Sequence, residues 1–103
     1  MWFRFLLALT FLTTFDGSAQ TYPSKPVRVV VPASPGGASD LVTRIVATAL
    51  GERLGQSFVV ENRVTSGGII GTQQVAESAA DGYTLLGTFD TFAINPYLFT
   101  GLK

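Results

Sequence analysis

The chain contains no cysteine and no histidine. A disulfide framework is therefore excluded, and so is a nucleophile–base triad built on Cys or His. A structural zinc site lacks its usual thiolate and imidazole ligands, and no metal is expected. Charge is scarce as well: 7 Lys+Arg stand against 7 Asp+Glu in 103 residues, for a formal net charge of zero. Phosphate backbones are gripped by clustered cations, so nucleic acid is not an expected partner. Nucleotide loops are missing too. G-x-G-x-x-G is only partly imitated by Gly67-Gly68-Ile69-Ile70-Gly71, and G-x-x-x-x-G-K-[ST] does not occur. No cofactor is expected.

What is present begins with an address. Arg4 precedes the apolar run Phe5–Phe15, and Asp16 ends that run short of the roughly 20 residues a membrane-spanning helix needs. Small Gly17 and Ala19 follow two positions apart. This is the layout of a secretory signal peptide over residues 1–19, cleaved after Ala19. Its removal takes one cation, Arg4, and one anion, Asp16, so residues 20–103 remain neutral. They form at most one domain.

Thr21–Pro26 carries two prolines and reads as an extended lead-in. Val27–Val31 is a β-branched run suited to a strand buried on both faces, and Pro32 ends it. Leu41, Val42, Ile45, Val46, Ala49, Leu50 and Leu54 recur at helical spacing and predict one broad apolar face. Ser39 or Asp40 is the expected N-cap, with Asp40 also suited to the positive end of the helix dipole. Gly55 stands where a left-handed cap would end the helix. Ser57–Asn62 predicts a second strand. A glycine turn and a second helix over 68–78, with Ile70, Val75 and Ala79 on its apolar side, lead to an Asp81-Gly82 turn and a third strand at Thr84–Phe89. A short helix before Pro96 completes the pattern. Strand, helix, strand, helix, strand implies right-handed crossovers, a parallel sheet with helices on both faces, and the first strand between the other two. Ligands of such sheets bind outside the carboxyl ends of the strands.

Both glycine clusters fall there. Ser34–Asp40 (SPGGASD) follows the first strand, and Ser66–Thr72 (SGGIIGT) follows the second. Glycine lets backbone turn sharply and exposes N–H groups. A helix start behind it adds unpaired donors and a positive dipole end, which makes an anion site without a basic side chain. The two turns could hold one carboxylate or phosphate between them, or could simply turn the chain. Ser34, Ser39 and Ser66 have no base partner in the sequence. Asp40 and Asp90 each follow a strand, which leaves a small α/β hydrolase as an enzyme alternative.

The stretches YPSKPVRVVVPASPGGASDLVTRIVA (22–47), LGERLGQSFVVENR (50–63), GGIIGTQQVA (67–76), DGYTLLGTF (81–89) and INPYLF (94–99) resemble the start of the Bug-type extracytoplasmic solute receptors. These are the periplasmic binding proteins of tripartite tricarboxylate transporters. The resemblance implies a type II periplasmic-binding-protein fold, of which residues 20–103 are a partial N-terminal α/β lobe: an incomplete β-α-β-α-β segment. It implies no enzyme activity, a small-molecule carboxylate as ligand, and the membrane subunits of such a transporter as partners. Carried onto this chain, the ligand-binding residues are Ser34, Pro35, Gly36, Gly37 and Asp40 in the first loop, with Gly67, Gly68 and Gly71 near the second. Family members are much longer, so a truncated, non-functional gene product is the alternative expectation.

Overall fold

The computed structural model describes residues 21–64 and 66–101. The expected signal peptide and its cleavage point lie outside them. Three parallel strands, β1 (Val27–Val31), β2 (Phe58–Asn62) and β3 (Thr84–Leu86), form a sheet in the order β2-β1-β3. Val29 of β1 stands between Val60 of β2 and Leu85 of β3. Helix α1 (Ala38–Leu54) connects β1 to β2, α2 (Ile69–Ala76) connects β2 to β3, and α3 (Thr91–Leu98) follows β3. The predicted α/β class, the parallel sheet and the central place of the first strand all hold.

The valine run explains the centre. Val27, Val30 and Val31 are fully buried and Val29 nearly so, which requires cover on both faces of β1. On the face of Val29 and Val31, α1 supplies that cover, while α2 packs against β1 and β3. Arg28 is the polar member of the run. Its guanidinium makes a two-bond fork with Glu61 of β2, Nε to Oε1 at 3.0 Å and Nη2 to Oε2 at 2.7 Å. The lead-in docks beside the Asp81-Gly82 turn through an edge-on contact of the Tyr22 and Tyr83 rings, 5.2 Å between centroids, and a Ser24 N–H bond to the Tyr83 hydroxyl.

Five local expectations are corrected. The N-cap of α1 is Gly37, with no side-chain cap, and Ser39 and Asp40 lie inside the first turn. The broad apolar face does not point into a core: Leu41, Val42, Ile45 and Val46 are about half exposed or more, and Asp40 and Ala47 are the buried residues of α1. Ala47 is buried against the sheet, whereas Val42, Val46 and Leu50 border a hollow beside Val29, Leu85 and Leu86. In α2 the buried residue is Gly71, and the helix ends before Ala79. β3 stops at Leu86 because the chain leaves the ladder after Gly87 N–H bonds Val30 O at 2.9 Å. Pro96 sits inside α3 rather than after it. The Phe92 carbonyl, four residues earlier, thereby loses its helical donor, and Phe92 is exposed, where water can replace it. Gly55 caps α1 as expected, with φ 74° and its N–H on Gly51 O.

Candidate functional site

Parallel strands bring their carboxyl ends to one edge, and each of the three helices starts there. The first loop explains its own sequence. Pro35 and Gly36 occupy the middle of a four-residue turn: Gly36 has φ 82°, and Gly37 N–H bonds Ser34 O at 3.2 Å. Proline second and a left-handed glycine third are the residues a type II turn requires. The turn leaves Gly37 extended, at φ −70° and ψ 169°, so that α1 can begin at Ala38.

The donors of this loop can be counted. Gly36 N–H bonds Asp40 Oδ2 at 2.9 Å, and Gly37 N–H is used within the turn. The N–H groups of Ala38 and Ser39, in the first turn of α1, have no acceptor among the described residues. They are among the donors a helix start leaves unpaired. Two of the free donors thus lie one and two residues beyond the glycines that the sequence singled out.

A pocket of about 260 Å³ opens at this point, with Pro32, Ala33 and Gly37–Ser39 on one side and Gly87–Thr91 on the other. Asp90 is the one ionisable residue lining it, and it is exposed. An anion here would meet backbone dipoles rather than a cation. The β3–α3 loop was missed by sequence reasoning apart from Asp90. The signal that finds it is strand order: β3 pairs with β1, so its loop must lie beside the first. A larger hollow, about 550 Å³ between α2 and α3, is lined by Ile69, Phe92, Pro96 and Tyr97 among others and by no charged group.

The remaining site candidates lie elsewhere. Ser34, Pro35 and Gly36 are on the exposed outer side of the turn. The second glycine cluster borders Pro32 rather than the pocket. A Cβ on Gly68 would come within 2.8 Å of Pro32 O, and one on Gly71 within 3.1 Å of both Pro32 Cβ and Arg63 Cβ. These two positions let α2 begin against the end of β1. Gly67 is exposed and its carbonyl accepts a bond from Asn95 Nδ2 at 3.3 Å.

Asp40 is 2% exposed. Its carboxyl is held at about 2, down from an ordinary 3.8, chiefly by the Arg44 side chain and then by the Gly36 N–H and the Asn62 amide. A carboxyl whose pKa falls on folding stabilises the fold while ionised. That contribution is whole above about pH 4, the unfolded value, and is lost as pH falls toward 2. The denaturant midpoint followed by circular dichroism is therefore expected to drop between pH 4 and 2 by more in the native chain than in Asp40→Asn. The Arg28-paired Glu61, lowered in the same direction, is common to both. Parallel curves for the two proteins in that window would contradict the assignment.

The chain as a whole is similar to known proteins. The family model described as "Tripartite tricarboxylate transporter family receptor" matches residues 42–103. Protein BugT of Bordetella pertussis is 54% identical over 69 residues, covering 67% of this chain and 21% of that protein. A solved periplasmic transporter superposes with a TM-score of 0.69 at 47% identity, over 73% of this chain and 25% of its own. An R. palustris protein solved with adipate superposes at 0.62 and 43% identity, over 63% of this chain and 22% of its own. The chain thus spans about a fifth to a quarter of the length of these relatives.

Proposed function

The chain belongs to the tripartite tricarboxylate transporter receptor family, and from that membership we propose that it is a Bug-type periplasmic solute-binding protein. Its ligand is a small carboxylate, its partners are the membrane subunits of the transporter, and it catalyses no reaction. One observation carries the reading: Ala38 and Ser39, whose N–H groups have no acceptor among the described residues, line an open pocket at the start of a 17-residue helix. Such a start attracts anions and supplies directed donors. The relative solved with adipate supports a carboxylate rather than a phosphate.

The loop pair leaves a bound ligand open to water, where solvation competes with every hydrogen bond. Affinity of this segment for adipate is therefore expected near or weaker than about 1 mM, some −4 kcal/mol. Ala38→Pro isolates the donor. Proline is favoured at the first position of a helix, where its missing N–H has no helical partner. The extended backbone of Gly37 also accepts a following proline. The substitution should leave the fold intact and weaken adipate about tenfold or more, since a bond to a charged group contributes roughly 1.5–3 kcal/mol. In amide-resolved NMR titrations, shifts confined to Ala38, Ser39 and the 87–91 loop are expected. Equal affinity of the folded variant would rule out this end of α1 as the anion site.

Export is proposed on the Phe5–Phe15 run and the Gly17-Ser18-Ala19 boundary. Protein recovered from a bacterial periplasm should begin at or next to Gln20. A soluble cytoplasmic product retaining Met1 would refute it.

A further inference from the structure

Asp40 is surrounded by donors. Oδ1 accepts from Arg44 Nε at 3.0 Å and Asn62 Nδ2 at 3.0 Å, while Oδ2 accepts from Arg44 Nε at 2.9 Å and Gly36 N–H at 2.9 Å. The single Arg44 Nε–H is shared by both oxygens, so three N–H donors converge on this carboxylate, on a side chain only 3% exposed. Little of it is open to a ligand. Asn62, the last residue of β2, adds a second tie: its Nδ2 also donates to Ala33 O at 3.0 Å, and its Oδ1 accepts from Arg44 Nη2 at 3.0 Å. One amide thus joins Ala33, the residue before the turn, to Asp40 in the first turn of α1, and anchors both to the neighbouring strand.

From this geometry we infer that Asp40 is a positioning residue, which with Asn62 locks the 33–40 loop so that the Ala38 and Ser39 N–H groups face the pocket. The inference rests on the carboxylate reading above. The lock has two consequences. It holds the Gly36 N–H on the Asp40 side of the loop. It also pairs the negative charge of Asp40 with Arg44, so that the acid in the first turn does not cancel the attraction of the helix start for an anion. The acid and the anion site are compatible because the acid is neutralised from behind.

The test follows Gly36 amide exchange together with adipate titration of the labelled chain. Asp40→Asn puts an amide nitrogen, itself a donor, among three donor groups. Asn62→Ala removes both ties without touching the pocket lining. Each is expected to speed Gly36 exchange about tenfold and to weaken adipate by a similar factor. Loss of adipate binding in Asp40→Asn with Gly36 exchange unchanged would make Asp40 a direct ligand contact and overturn the inference. An unchanged adipate response at Ala38 and Ser39 in Asn62→Ala would overturn it equally. If Asp40→Asn fails to fold, Arg44→Gln decides: faster Gly36 exchange with weaker adipate supports the lock, and no change in either refutes it. Adipate that moves no amide of the wild-type chain defeats the carboxylate reading itself, and the exchange of Gly36 still reports separately whether the loop is locked.

Discussion

Gly68→Ala is expected to destabilise the chain by about 2–5 kcal/mol, read as a lowered urea midpoint. Two costs coincide at this position. Gly68 has φ 84°, where a Cβ costs an L-residue roughly 1–2 kcal/mol. The added carbon would also lie 2.8 Å from Pro32 O and 3.0 Å from Pro32 Cβ. Pro32 directly follows β1, so its carbonyl cannot yield without moving the end of the central strand, and overpacking of this kind adds about 1–3 kcal/mol. Gly67 is the control. Its φ of 65° carries the conformational cost, but nothing lies within 4 Å of its Cβ position. Gly67→Ala should therefore cost only the first part. Equal losses for the two variants would show that α2 does not depend on close approach to Pro32.

The contrast between the two glycines marks how far a sequence can be read. SPGG and SGG look alike on the page, each a glycine pair between a strand and a helix. The first is a turn whose conformation follows from Pro35 and Gly36 in order, so it was legible. The second is set by a neighbour, Pro32, more than thirty residues earlier, and local chemistry cannot distinguish a glycine that admits a ligand from one that admits a proline ring. The same limit governs α1. Its span and its Gly55 cap follow from local rules, and β1 declares itself central by being apolar on both faces. Which side of α1 meets the sheet does not follow from apolar spacing, because Asp40 is buried among three N–H donors while Ile45 is 70% exposed. Polar satisfaction and close backbone approach outrank hydropathy there. The site divides in the same way: its first loop was visible as a motif, and its second follows from the strand order, which the sequence already implied and which places β3 beside β1.

That second loop contains the other position where one methyl group should have a large effect. A Cβ on Gly87 would lie 2.6 Å from Thr43 Oγ1, 2.8 Å from Thr43 Cγ2 and 3.2 Å from Val31 Cγ2. Threonine cannot rotate out of the way. Its two branches fill two of three staggered positions, so every rotamer leaves at least one branch where it now blocks the new carbon. In Gly87→Ala, then, α1 must lift from the sheet, carrying Ala38 and Ser39 with it and distorting the pocket that Gly87 itself lines. The expected loss is about 1–3 kcal/mol of stability, together with weaker adipate binding. Thr43→Ala removes both branches, so the double variant should recover most of that loss, with a coupling of about 1 kcal/mol or more between the two sites. Recovery of adipate binding in the same double variant would tie the seating of α1 to the geometry of its N-terminal donors. Strictly additive losses would mean that Gly87 is required for some other reason, and that the distance between α1 and β3 is not set by this contact.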